Sequence, residues 1–121
     1  MILLLSDDLL DASKTIGNAR AAGVAVRQVR TTLALIEQAL QESPTCCIVD
    51  LQCAGLDIAG LAGELQRGAK KPRLIAYGSH VDTPRLREAR QSGYDETFAR
   101  SEYFETMPVQ IGEWAKQKDV S

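Results

Sequence analysis

Five times along this chain a short apolar or β-branched run breaks off at a polar or glycine residue, and a segment with apolar positions three and four apart follows. A run of the first kind reads as a buried strand and a segment of the second kind as an amphipathic helix. The strand-like runs are residues 2–5, stopped by Ser6, Asp7 and Asp8; residues 24–29; residues 46–49, ending at Asp50; residues 73–77, closed by Gly78 and Ser79; and residues 96–99. Between them lie the helical stripes. The first carries Leu9, Ala12, Ser13, Ile16, Ala19 and Arg20 up to a stop at Gly23, and the second carries Leu33, Ile36 and Leu40 up to Ser43 and Pro44. Ile58, Leu61, Ala62 and Leu65 mark the third, and Leu86 with Ala89 marks the fourth, behind the cap-like Asp82-Thr83-Pro84. Phe104, Met107, Ile111 and Trp114 mark the last, where Pro108 predicts a kink or a late start.

Strands alternating with helices, with no connection short enough for a hairpin, imply a parallel sheet covered on both faces. The expected fold is α/β: a flavodoxin-like (βα)5 doubly wound sandwich with strand order 2-1-3-4-5 and one domain over residues 1–121. The net charge of -2 gives no electrostatic footprint for nucleic acid or an anionic membrane. The apolar N-terminal run is too short for a signal core or a membrane span, so a soluble, cytoplasmic protein is expected. Cys46 and Cys47 are adjacent in a strand and point to opposite faces, which argues against a disulfide framework. The single histidine, His80, lies far from the cysteines and no Cys-x-x-Cys spacing occurs, which argues against zinc.

In doubly wound sheets ligands bind beyond the carboxyl ends of the strands at a switch point. Asp7, Asp8, Asp50, Gly78, Ser79 and Arg100 fall there. The first and third strands are neighbours in the expected order, so Asp7, Asp8 and Asp50 converge, and clustered carboxylates with a backbone carbonyl suit magnesium. The bland alternative is that Asp7 and Asp8 cap the first helix. A loop rich in Thr, Ser and Gly for a flavin phosphate is missing, since SDDLLDAS is acidic.

The same residues resemble a known family. ILLLSDD is similar to the acidic end of the first strand of response-regulator receiver domains, and CIVDLQCAGLD is similar to their phosphoacceptor strand and loop. IAYGSHVDTPRLREARQSGYDETFAR runs without gaps against their fourth strand, fourth helix and fifth strand. The resemblance implies that Asp50 is the phosphoacceptor and that the backbone carbonyl of Gln52 is a magnesium ligand beside the acids. Counting back from Gly23 puts Ser6 and Asp7 on the family's two acids, and a one-residue gap puts Asp7 and Asp8 there. Two positions depart from the pattern. Gly78 stands where receivers carry Thr or Ser, with Ser79 one residue later, and Arg100-Ser101 stands where they carry Lys-Pro.

The expected function is therefore a stand-alone atypical receiver-like module of two-component signalling. It has no catalytic turnover, a magnesium-dependent acceptor at Asp50 and impaired switch residues. Its expected partner is a histidine kinase or phosphotransfer protein, and self-association through the fourth helix, fifth strand and fifth helix, with Tyr103, Phe104 and Trp114 as anchors, is a further expectation. The alternative is a phosphorylation-independent interaction or dimerisation domain, a pseudo-receiver. His80 and Cys53 sit near the same rim and read as a solvated loop residue and a filler.

Overall fold

The computed structural model describes residues 1–118, and residues 119–121 of the expected domain lie outside the described residues. Strands and helices alternate without exception: β1 (Ile2–Leu5), α1 (Leu9–Ala21), β2 (Val26–Val29), α2 (Thr32–Glu42), β3 (Cys46–Asp50), α3 (Ile58–Leu65), β4 (Arg73–Gly78), α4 (Thr83–Gln91), β5 (Glu96–Ala99) and α5 (Arg100–Trp114). All pairings are parallel and the order is β2-β1-β3-β4-β5. This is the flavodoxin-like sandwich expected from the alternation.

Side-chain parity divides the core. Ile2, Leu4, Cys46, Ile48, Ile75 and Tyr77 face α1 and α5, while Leu3, Leu5, Cys47, Val49, Leu74 and Ala76 face α2, α3 and α4. The strands β1 and β3 are buried on both faces, which is why their sequences are continuously apolar. Cys46 and Cys47 lie on opposite faces as free, buried thiols.

The first four helices start where a side chain accepts orphan backbone donors, whereas α5 follows β5 at Ala99 with no side-chain cap. Asp8 caps α1 through Leu10 N and Asp11 N, Thr31 caps α2, Asp57 caps α3 and Asp82 caps α4. Gly23, with φ +73°, takes the left-handed turn after α1.

Two helical stripes differ from the sequence reading. In α1 the buried residues are Asp11, Ala12, Thr15 and Ala19, with Leu9 63% exposed. In α2 the buried residue is Leu35, and Leu33 and Leu40 face outward. In α1 the aliphatic positions misplaced the face because the helix packs on α5 through small and polar groups. The last helix does not start late: α5 runs from Arg100 through Pro108, with Tyr103, Met107, Ile111 and Trp114 buried on one side. These anchors lie on both sides of Pro108 and pack on one core, which offsets the lost backbone bond of about 3 kcal/mol. Tyr103 and Trp114 are fully committed to the domain's own core, so they are not the partner anchors that the sequence suggested. Among the described residues no helix is long and apolar enough to cross a membrane.

Candidate functional site at the carboxyl rim

Register determines which residues meet at Asp50. Leu4 pairs with Ile48 and Leu5 with Val49, so the next pair along these parallel strands is Ser6 beside Asp50. Both share the parity of Ile2, Leu4, Cys46 and Ile48 and turn toward α1 and α5. The Ser6 hydroxyl donates to Asp50 Oδ2 at 2.9 Å, and the Gln52 backbone N–H donates to Asp50 Oδ1 at 3.0 Å. Of the two registers open in the sequence, the structure takes the one with Ser6 and Asp7 at the strand end.

Asp50 is only 4% exposed. Burial raises its pKa above the usual carboxylate range, and the bonds from Gln52 and Ser6 oppose this; nearby Asp7 raises it further and Arg100 lowers it. The site thus has one solvent-facing acid, Asp7, and one recessed acid, Asp50. Asp7 Oδ2 lies 3.5 Å from Ala54 N and ties the β1–α1 loop to the β3–α3 loop.

Asp8 is not brought into the cluster. Its carboxylate takes the Leu10 and Asp11 N–H groups at 2.9 and 3.0 Å as the α1 cap, and Arg100 approaches it at 3.8 Å. Those bonds hold its carboxyl below the ordinary range, the Asp11 N–H most of all. The expected three-carboxylate set of Asp7, Asp8 and Asp50 is therefore corrected. Among the described residues no group of three or more His, Cys, Asp or Glu side chains is arranged to hold a metal ion.

Two carboxylates remain, and magnesium is ordinarily held by one or two, with carbonyl oxygens and retained waters. Each Asp50 oxygen accepts one protein hydrogen bond and keeps a second lone pair, and Asp7 is close enough to shift the acidity of Asp50. A pair of carboxylates with free lone pairs is donor chemistry that suits magnesium.

Ser79 and Arg100 are placed elsewhere. The Ser79 hydroxyl accepts from Val81 N at 3.4 Å within its own turn, so it does not stand in for a hydroxyl at the end of β4. The space at that strand end is occupied from the other side. The Gln52 side chain accepts from Ser79 N at 3.4 Å, and a Cβ on Gly78 would lie 3.2 Å from both Gln52 Oε1 and Leu51 Cβ.

Arg100 opens α5 and turns away from Asp50. Its guanidinium bonds Asp11 Oδ1, approaches Asp8 and lies 5.6 Å from the centre of the Phe104 ring. Sequence reasoning missed Asp11, which is fully buried, accepts from the Tyr77 hydroxyl at 3.1 Å and has its pKa raised above the ordinary range by burial. A charged residue among the small residues of a helix stripe was the available signal, because a buried carboxylate requires partners. His80 is exposed, and Cys53 is buried with its Sγ donating to the Arg30 carbonyl at 3.6 Å. Burial pushes the Cys53 thiol up, away from reactivity.

No protein-family model matches the chain, and no curated protein matches it. Solved structures do. The chain is similar to the signal receiver domain of a response regulator from Bermanella marisrubri, with 18% identity, 95% of this chain and 97% of that chain covered, and TM-score 0.82. It is similar to the receiver domain of NtrX from Brucella abortus, with 13% identity, 98% and 100% covered, and TM-score 0.82. It is also similar to the receiver domain of the sensor histidine kinase PA1611 from Pseudomonas aeruginosa, whose active site cleft coordinates a magnesium ion, with 17% identity, 94% and 95% covered, and TM-score 0.79. With five parallel strands in the order β2-β1-β3-β4-β5, a helix after each and this coverage by the solved neighbours, the chain has the fold of response-regulator receiver domains.

Proposed function

We propose that this chain is a signalling module without catalytic turnover, in which Asp50 accepts a phosphoryl group in the presence of magnesium and the signal passes on through protein contacts. The observation that carries this reading is the recessed Asp50 carboxylate at the end of β3, held by Ser6 and the Gln52 N–H and electrostatically coupled to Asp7. Phosphoryl transfer asks mainly for positioning and charge neutralisation, and these residues supply the first. Asp7, Asp50 and the Gln52 carbonyl would hold magnesium, which would supply the second. An Asp50 oxygen attacks the phosphorus of a phosphohistidine on a kinase or phosphotransfer protein. The O–P bond forms as the P–N bond breaks, and the imidazole nitrogen leaves with the electron pair. The magnesium in the cleft of the Pseudomonas neighbour supports the choice of cation. In this reading α4, β5 and α5 form the contact face for a second copy, and the fully buried Tyr103 and Trp114 take no part in it.

The test is incubation with acetyl phosphate, with and without magnesium, followed by intact mass. One added phosphoryl group with magnesium, absent in Asp50→Asn, is the expected result; no added mass in either condition contradicts the reading.

A second reading is a phosphorylation-independent interaction domain. It is favoured by Arg100 resting on Asp11 and by the lack of a hydroxyl at Gly78, since both leave Asp50 without its readout. Unchanged partner binding and self-association in Asp50→Asn, together with no mass gain, are the results this reading expects.

A further inference from the structure

Arg100 has three carboxylates within electrostatic reach. It bonds Asp11, approaches Asp8 at 3.8 Å and favours the charged form of Asp50 without a hydrogen bond to it. The two ends of this arrangement differ in rigidity. Asp11 is fully buried, and its Oδ2 is fixed by the hydroxyl of Tyr77, the β4 residue in register with Asp50. Tyr77 in turn stacks on Tyr103 at 4.2 Å and 12°, and the Tyr103 hydroxyl is bonded to Thr15 one turn further along α1. The carboxylate of Asp11 therefore has no freedom to follow a moving partner. The guanidinium has that freedom, because the Arg100 side chain is 47% exposed and only its far end is engaged.

From this geometry we infer that Asp11 is a positioning residue which parks Arg100 away from Asp50, so that an oxyanion formed at Asp50 draws the guanidinium only in competition with the Asp11 pair. The inference rests on the acceptor reading of Asp50. A guanidinium matches oxyanions by its forked donors, and added negative charge at Asp50 strengthens the pull from that side. Whatever Arg100 gives to Asp50 it withdraws from a carboxylate that has no solvent to replace it. Removing the charge of Asp11 while keeping its shape and its acceptor for Tyr77 releases Arg100. The site then holds an oxyanion more tightly although no residue touching it has changed.

The experiment titrates the full chain with beryllofluoride, an acyl-phosphate mimic, at fixed magnesium, by calorimetry. The variants are Asp11→Asn, Arg100→Ala and the double variant. Asp11→Asn is expected to bind at least about fivefold more tightly than the starting protein, the lower end of ordinary coupling between linked sites. The gain is expected to vanish in the Arg100→Ala background, because the effect runs through the guanidinium and not through the fold. Asp8→Asn, which keeps the α1 cap, is expected to shift binding in the same direction by less, and it serves if Asp11→Asn does not fold. Equal binding by the starting protein and the variants overturns the inference and leaves the acceptor reading intact. A gain that persists without Arg100 overturns it as well. No binding by any of the proteins overturns both.

Discussion

Replacing Ser6 by Ala removes one hydroxyl that does two things. It donates to Asp50 Oδ2 at 2.9 Å, and it accepts from the Asp8 N–H at 3.1 Å. A hydrogen bond to a charged acceptor contributes about 1.5–3 kcal/mol, and Asp50 has little solvent to take its place. The Asp8 N–H is only partly buried and recovers most of its loss from water. The expected cost is about 2–3 kcal/mol at neutral pH, or a fall in Tm of roughly 8–12 °C for a domain of this size. Urea denaturation with an unchanged m-value reads it directly. The pH dependence identifies the cause. The folded pKa of Asp50 is raised above the ordinary carboxylate value of 3.8, so the folded state binds the proton more tightly than the unfolded state. Its contribution to stability is then fully present below 3.8 and is lost as pH rises through the folded value. Losing the Ser6 donor raises that value further. The Ser6→Ala penalty should therefore be small in acid, grow across the carboxylate range and shrink by about 1 kcal/mol in an Asp50→Asn background. A penalty under about 0.5 kcal/mol, or one that is the same with Asn at position 50, refutes the reasoning.

Other perturbations separate the remaining parts of the rim. Arg100→Ala strands the buried Asp11 and should cost about 2–3 kcal/mol in urea melts, below the range for fully buried pairs because Arg100 is 47% exposed. Gly78→Ser asks the Gln52 side chain and Leu51 to give by a few tenths of an ångström, so a loss of about 1 kcal/mol with the fold retained by circular dichroism is expected. Asp8→Ala should cost about 1 kcal/mol as a lost α1 cap while Asp8→Asn is close to neutral; if both are equally damaging in thermal melts, the capping role is wrong.

The strands were legible because alternation, turn residues and burial on both faces all act on neighbours in sequence. β1 begins and ends where its apolar run does. Asp50 at the end of β3 was legible for the same reason, and so was the meeting of β1 and β3 at one rim. The choice between Ser6 with Asp7 and Asp7 with Asp8 was not, because it depends on a register between segments 44 residues apart. Arg100 was legible as a cation beside the site but not in its direction. Its side chain is aimed by α5 starting at once after β5 and by the buried Asp11 on α1, a packing decision made between distant helices. The outward turn of Leu33 and Leu40 shows the same limit, since periodicity reports that a stripe exists and not which neighbour covers it.

The most direct measurement on the site is a magnesium titration followed by backbone amide resonances. Saturable shifts confined to residues 6–8 and 50–54 at millimolar magnesium, lost in Asp7→Asn and in Asp50→Asn, are the predicted result. Resonances at Asp7, Asp50 and Gln52 that stay unmoved by magnesium would contradict the acceptor site.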